Sequence, residues 1–483
     1  MAPGVTGQID SFAGARVESA IRAHHRRRLR RAGQGERLDP PRDGILWAAG
    51  DPPPRSGCEL RVHIDGADAL PRLAEALRGA RESVHIAGWH IAPDFGLTRD
   101  DRSLRLRDLL ADIAQRASVR VLLWAGAPIP LFKPTRAQVR EVRHALVQGT
   151  RVRCALDAKE RPMHCHHEKI VIIDGELAFV GGIDLTNLAG DRFDSSQHAA
   201  LGRLGWHDVA TSMRGPAVAD VAAHFAARWR ESSGETLDPV RTPADAGEHT
   251  LQVVRTIPEN VYEFAPRGDF RILEAYTRAL RDARSLIYIE SQFLWSPEIS
   301  DILAAKLRDP PSGDFRMIVV LPRHPNNGND CTRGQLGVLA AADDGRRRFL
   351  AATVISRTGQ LGGPLYVHAK VAIVDDRWMM IGSANLNDHS LFNDSEVNVI
   401  TDDPELVRAT RLRLWSEHLE LSPAAVEGSP ARVVDELWRP IAREQLERRR
   451  AGEAPTHRLL ELPGVSRRAR ALLGPVDGLL VDG

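Results

Sequence analysis

The sequence predicts an α/β protein built from two homologous halves, on three observations. At 483 residues the chain is too long for one ordinary core, and two domains of about 150 to 200 residues are the natural division. The chain also resembles itself: "LRGARESVHIAGWHIAPD" (77–94) matches "LRDARSLIYIESQFLWSPE" (280–298), and "SVRVLLWAG" (118–126) answers "FRMIVVLPR" (315–323). Finally, short continuous apolar runs of strand length alternate with amphipathic helical stretches such as "ALRGARE" and "LAAKLRD".

Residues 1–55 read as an N-terminal extension. It carries a basic helix, "HHRRRLRR" (24–31), and two turn signals, "DPPRDG" (39–44) and "DPPPRSG" (51–57). The first half then covers 56–235. The polar, turn-rich "ESSGETLDPVRTPADAGEHT" (231–250) marks a linker at 236–250. The second half covers 251–425, and 426–483 form a C-terminal extension. Its helix near 430–450 should be kinked or interrupted at Pro440.

Composition removes some function classes. A net charge of +1 gives no global footprint for nucleic acid, so no nucleic-acid partner is expected. No basic segment followed by an apolar one opens the chain, and no apolar run approaches the roughly 18 residues needed to span a bilayer. A cytoplasmic or peripheral-membrane location is therefore expected. Cys58, Cys154, Cys165 and Cys331 lack the spacing of a disulfide framework.

The chemistry resides in two segments, "HHEKIVIIDGELAFVGG" (166–182) and "VHAKVAIVDDRWMMIGS" (367–383). Of 65 basic residues only five are lysine, yet Lys169 and Lys370 each stand in an apolar run. Each segment fits H-x-K-x4-D: His167, Lys169 and Asp174, then His368, Lys370 and Asp375. Chance would supply roughly 0.2 H-x-K pairs in this composition, so two at equivalent places in a repeat are informative. Strand alternation puts each His and Lys on one face. A compact ammonium beside an imidazole suits a phosphoryl oxygen, where arginine's wider fork would impose another geometry. Asp174-Gly175 and Asp375-Asp376 read as hairpin turns, so these carboxylates are expected to be structural.

Small residues and an amide or carboxylate follow: "GGIDLTN" (181–187) and "GSANLND" (382–388). Ser383 and Asn385 can donate to phosphoryl oxygens. Asp184, in the place of Asn385, cannot donate when ionised, so the half-sites should differ chemically.

With these residues in view, the sequence resembles the phospholipase D superfamily, whose signature is H-x-K-x4-D-x6-G-S/G-x-N/D. It is most similar to the eukaryote-like branch, through "DRFDSSQH" (191–198), "GWHDVATSMRGPAVADVAAHFAARW" (205–229), "IYIESQF" (287–293) and "DSEVNVI" (394–400). The resemblance covers residues 60 to about 420. It implies two α/β/α sandwich halves with mixed sheets, related by a pseudo-two-fold axis, with one active site between them. It further implies hydrolysis or transphosphatidylation of glycerophospholipids through a phosphohistidine on His167 with His368 as acid and base, with a cardiolipin-synthase-like phosphatidyl transferase and a nuclease of the same superfamily as the alternatives. A monomer with peripheral membrane contact is expected. Lys169, Lys370, Asn385 and Ser383 would bind phosphate, while Asp194 and Glu396 would orient the imidazoles. No cofactor is implied.

Other readings stand beside these. "HCHH" (164–167) invites zinc, but alternation splits its side chains over two faces, so no metal is expected. Glu168 reads as a solvent-side strand residue. Trp89 is a candidate for core or pocket wall.

Overall fold

The computed structural model describes residues 5–98, 104–129, 133–161, 164–188, 190–193, 204–325, 329–357, 362–363 and 365–462. The first half contributes β1 (Arg55–Ile64), β2 (Ser83–Gly88), β3 (Ser118–Trp124), β4 (Arg153–Asp157), β5 (Ile170–Ile173), β6 (Leu177–Gly181), β7 (Gly205–His207) and β8 (Val209–Arg214). The second contributes β9 (His249–Ile257), β10 (Asp269–Phe270), β11 (Leu286–Glu290), β12 (Arg316–Val320), β13 (Phe349–Val354), β14 (Leu365–Val367), β15 (Val371–Val374), β16 (Trp378–Gly382) and β17 (Glu396–Thr401). A last strand, β18 (Leu459–Glu461), pairs with β13 at the edge.

The order β4-β3-β2-β5-β6-β8-β1 in one half is repeated in reverse as β9-β17-β16-β15-β11-β12-β13 in the other. In both, three strands are parallel (β2, β3, β4; β11, β12, β13) and the rest antiparallel. The two sheets are not separate. β1 and β9 pair antiparallel through Arg55↔Leu251 and Cys58↔His249, so hydrogen bonding continues from one half to the other.

Helices cover each sheet on both faces. Apolar stripes of Asp65–Arg78, Leu106–Ile113 and Arg136–Val147 pack on one face of the first sheet. Arg271–Asp282, Pro297–Arg308 and Asn329–Asp343 do so on the second. Ala217–Ser233 and Pro404–Leu419 close the other faces, and the core beneath them is shared by both halves. None of the described helices is long and apolar enough to cross a membrane.

The N-terminal extension packs on the second half. From the helix Val5–Arg31, Arg28 reaches Glu259, Asn393 and the Phe392 carbonyl, and Gln252 bonds Ala48 in both directions. Near the C-terminus a π-helical turn, Val434–Trp438, precedes Pro440, which sits in the first turn of Arg439–Ala451. The helical run thus continues past the proline, with a π-helical turn in place of regular α-helix just ahead of it.

The hairpin signals act as type I′ turns. Asp174 and Gly175 have φ of 55° and 69°, and Asp375 and Asp376 have 55° and 52°. Asp174 accepts from the backbone N–H groups of Arg81, Glu82 and Ser83. Asp375 accepts from Arg284, Ser285 and Leu286. Each carboxylate ties its hairpin to the start of β2 or β11, at the opposite end of its strand from the histidine.

Candidate functional site

Each His-x-Lys lies just ahead of its strand and is engaged by the opposite half of the molecule. His166 bridges Ser395, and the His167 N–H donates to the Ser395 carbonyl at 2.9 Å. In mirror fashion, β14 pairs with β7 and the His368 N–H donates to the His207 carbonyl at 2.8 Å. The histidines are thus carried on extended segments that cross between halves, and their rings come to 6.4 Å between centroids at 69°.

Nδ1 of each ring meets a carboxylate from the other half. His167 Nδ1 lies 3.0 and 3.2 Å from the Glu396 oxygens, and His368 Nδ1 lies 2.6 Å from Asp208 Oδ2. A carboxylate accepts, so both Nδ1 atoms carry hydrogen, which leaves Nε2 as the reactive nitrogen. Burial opposes ionisation of Glu396, but His167, Lys169 and the Ser383 hydroxyl hold its carboxyl below the ordinary range.

Asp208 was not singled out from the sequence. Asp194, expected to orient an imidazole, lies outside the described residues. The place beside His368 belongs to Asp208, in the segment "GWHDV". A shared hydrogen-bond pattern identifies Asp208 as the counterpart of Glu396: Gly182 N–H donates to Val209, and Ser383 N–H to Val397.

Ser383 is turned differently from its expected phosphate-binding role. Its hydroxyl donates to Glu396 and accepts from the Val397 N–H at 3.1 Å, so it braces the carboxylate. The Ser390 hydroxyl holds the second Glu396 oxygen. The first half has Gly182 at the matching position. There a Cβ would stand 2.0 Å from Asp208 Oδ1, so only glycine admits that carboxylate.

The lysines are buried. Lys169 Nζ donates to the His167 carbonyl at 2.6 Å and lies 3.4 Å from Asp184. Lys370 Nζ donates to the His368 carbonyl, and burial draws its ammonium down to about 7, with Lys169 adding to the shift and Asp208 opposing it. Burial, then Lys370, Arg192, Lys169 and His167, hold the His368 imidazole well below its ordinary value. The resting site is a cluster of cationic groups kept partly neutral by desolvation. Asn385 is fully buried, with its amide 3.4 Å from Gln292.

Trp89, Lys133, His167, Asp184, Leu188, Arg192, Trp206, Gln292 and His368 line a cleft of about 260 Å³. Trp89 also packs on Trp124, so it serves both core and wall. Trp89 and Gln292 occupy equivalent repeat positions, so the two halves place an indole and an amide at corresponding points of the cleft wall. Arg192 was also missed from the sequence. Its guanidinium lies 3.1 Å over the Trp206 ring, and its Nε and Nη1 have no hydrogen-bond partner among the described residues. Glu168 is not on a solvent face: it is fully buried and pairs with His224 and Arg228, because the helix Ala217–Ser233 packs over this segment.

This geometry sits in a recognisable family. The family model described as "Phospholipase D" matches residues 76–205, and "Cardiolipin synthase, PLD-like domain" matches 276–415. The chain belongs to the phospholipase D superfamily. It is 26% identical to "Phospholipase D A" of Dictyostelium discoideum, over 77% of this chain and 36% of that protein. Against "Phospholipase D2" of Bos taurus the identity is 24%, over 73% and 50%. Against "Phospholipase D alpha 1" of Cynara cardunculus it is 24%, over 82% and 69%. The chain thus spans about a third to a half of the first two relatives. Among solved structures, phosphatidylserine synthase of Haemophilus influenzae Rd KW20 shares the fold, with a TM-score of 0.51 at 10% identity. That match covers 82% of this chain and 95% of that one.

Proposed function

We propose that this protein is a phosphodiesterase of the phospholipase D type, hydrolysing glycerophospholipids or transferring their phosphatidyl group. One observation carries the reading: two imidazoles from different halves face one cleft, each fixed at Nδ1 by a carboxylate from the other half. His167 Nε2 attacks phosphorus, and the bond to the head-group oxygen breaks. His368 gives its proton to that oxygen. Water or an alcohol, deprotonated by His368, then attacks the phosphohistidine, the P–N bond breaks, and His167 is restored. Lys169, Lys370 and Asn385 bind the phosphoryl oxygens, and Asp208 and Glu396 hold the rings. The Arg192 nitrogens, without a hydrogen-bond partner among the described residues, supply a further anion contact.

His368 is held neutral in the empty cleft, yet the first step needs it protonated. An anionic phosphodiester among Lys169, Lys370 and Arg192 raises the proton affinity of all of them, so substrate brings the acid into being. Transfer to an acceptor alcohol is the second reading, favoured by the cardiolipin-synthase-like match over the second half. Contact with the membrane is peripheral, and Arg26, Arg27, Arg30 and Arg31 on the N-terminal helix are exposed for it. The test is to offer purified protein mixed phospholipids, with and without ethanol, and DNA, and to resolve the products by mass spectrometry. Phosphatidic acid or phosphatidylethanol is expected; DNA cleavage with intact lipid would overturn the reading.

A further inference from the structure

The four side chains of "HCHH" go to four different places. His167 faces His368. His166 is buried, with Nε2 3.1 Å from Asp157, and Cys165 packs with Trp89 and Trp124. His164 leaves its own half and meets His389 and Asp394 of the other. Its Nδ1 lies 2.9 Å from His389 Nδ1 and 3.4 Å from Asp394 Oδ1, and Asp394 Oδ2 lies 3.9 Å from His389 Nδ1.

We propose that His164, His389 and Asp394 form a site for a first-row divalent cation, zinc foremost, that clamps the two halves together three residues ahead of His167. Donors about 2.0 to 2.2 Å from a tetrahedral zinc stand roughly 3.3 to 3.5 Å from one another. The separations, which run through both Asp394 oxygens (Oδ1 to His164, Oδ2 to His389), bracket that edge length, so an ion held by one oxygen would need the carboxylate to turn slightly and the two nitrogens to part. Two imidazoles and a carboxylate are a donor set that such ions favour. Two imidazoles meeting nitrogen to nitrogen have one hydrogen position between them, whereas a cation engages both nitrogens.

The surroundings fix the donors as a ligand shell requires. Asp394 Oδ1 also accepts from the Cys165 N–H at 2.9 Å, which orients the carboxylate. His389 is buried, stands edge-on to Trp295 at 5.6 Å, and opens a π-helical turn, His389–Asn393. The His164 side chain is 18% exposed, which leaves an approach for the ion and for water as fourth ligand. His207, Glu290 and His418 form a second cluster of ligand type, but there both His207 nitrogens are already held, by Asp65 at 2.8 Å and Glu290 at 2.7 Å. That cluster is an ion-pair network. None of His164, His389 and Asp394 lines the cleft, so the ion would be structural and the chemistry would proceed without it.

The full-length protein, stripped with chelator and dialysed, is titrated with zinc chloride by calorimetry and with cobalt(II) by visible absorption. The expected result is one equivalent bound with micromolar or tighter affinity, intense four-coordinate cobalt bands, and a raised melting temperature. His164→Gln, at the partly exposed position, should weaken binding at least 100-fold and abolish the thermal shift, as should His389→Gln. Asp394→Asn retains the contact to Cys165 and should weaken binding about tenfold. His167→Asn should bind zinc as the wild type does. The proposal is overturned if the wild type takes up no ion, if His164→Gln binds as well as wild type, or if only His167→Asn loses binding.

Discussion

His368 and Asp208 come from opposite halves and meet at 2.6 Å, and His167 and Glu396 repeat the contact at 3.0 Å in the reverse sense. Neither imidazole is oriented by its own half. Each half-site is therefore incomplete without the other, although each carries a whole His-x-Lys motif.

Removing the charge while keeping the shape tests that exchange. Asp208→Asn and Glu396→Gln should fold with melting temperatures near wild type, because both places remain filled. Turnover should fall by about 10² to 10⁴, since an amide can present its N–H to Nδ1 and stabilise the wrong tautomer. KM should change little. If Asp208→Asn turned over within threefold of wild type, the carboxylate would have no part in positioning His368.

Gly182 and Ser383 occupy the same repeat position with opposite demands. A side chain at Gly182 enters the space of Asp208 Oδ1, whereas Ser383 donates to Glu396. Gly182→Ser should displace Asp208 and lower kcat at least 100-fold. Ser383→Gly forfeits one hydrogen bond to a charged group, roughly 1.5 to 3 kcal/mol, and Ser390 still holds the other oxygen. Its kcat should fall about tenfold. Equal losses in the two variants would show that the halves are not asymmetric in this way.

The same asymmetry marks what the sequence could reveal. The repeat, the paired motifs and the hairpin turns were legible because spacing alone encodes them. Asp208 was not, because 26 residues separate it from Gly182 while 13 separate Glu396 from Ser383, so a constant offset passes it by. Glu168 was misread for a tertiary reason. Alternation assigns it to a free face, but the helix Ala217–Ser233 of its own half covers that face with His224 and Arg228. His164 had no ligand partners within reach along the chain, since both stand more than 220 residues away.

Lys370 links activity to pH. Burial lowers it from 10.5 to about 7, so between those values the unfolded chain binds the extra proton and stability rises with pH. At neutral pH this lysine therefore subtracts from stability, and Lys370→Met should melt at or above the wild-type temperature while losing at least about 10³-fold in kcat. KM of the wild type should rise as pH passes 7, because a neutral amine no longer attracts phosphate. Lys370→Arg, always charged and wider, should fold but stay badly impaired. A flat KM from pH 6 to 9 would contradict the titration of Lys370.

The last prediction tests the covalent intermediate and the division of labour between the histidines. Once the head group has left, a phosphohistidine must partition between water and any alcohol in the cleft. Ethanol or glycerol should therefore divert product from phosphatidic acid to a phosphatidyl alcohol, in a ratio that rises with alcohol concentration. Where formation of the intermediate is rate-limiting, total head-group release should stay nearly constant, since both products share one precursor. Quenching turnover in alkali and mapping the labelled peptide should place the phosphoryl group on His167. Label on His368 would exchange the two roles and make His167 the acid. Phosphatidic acid alone at high alcohol, with no labelled histidine, would replace the intermediate by direct attack of water.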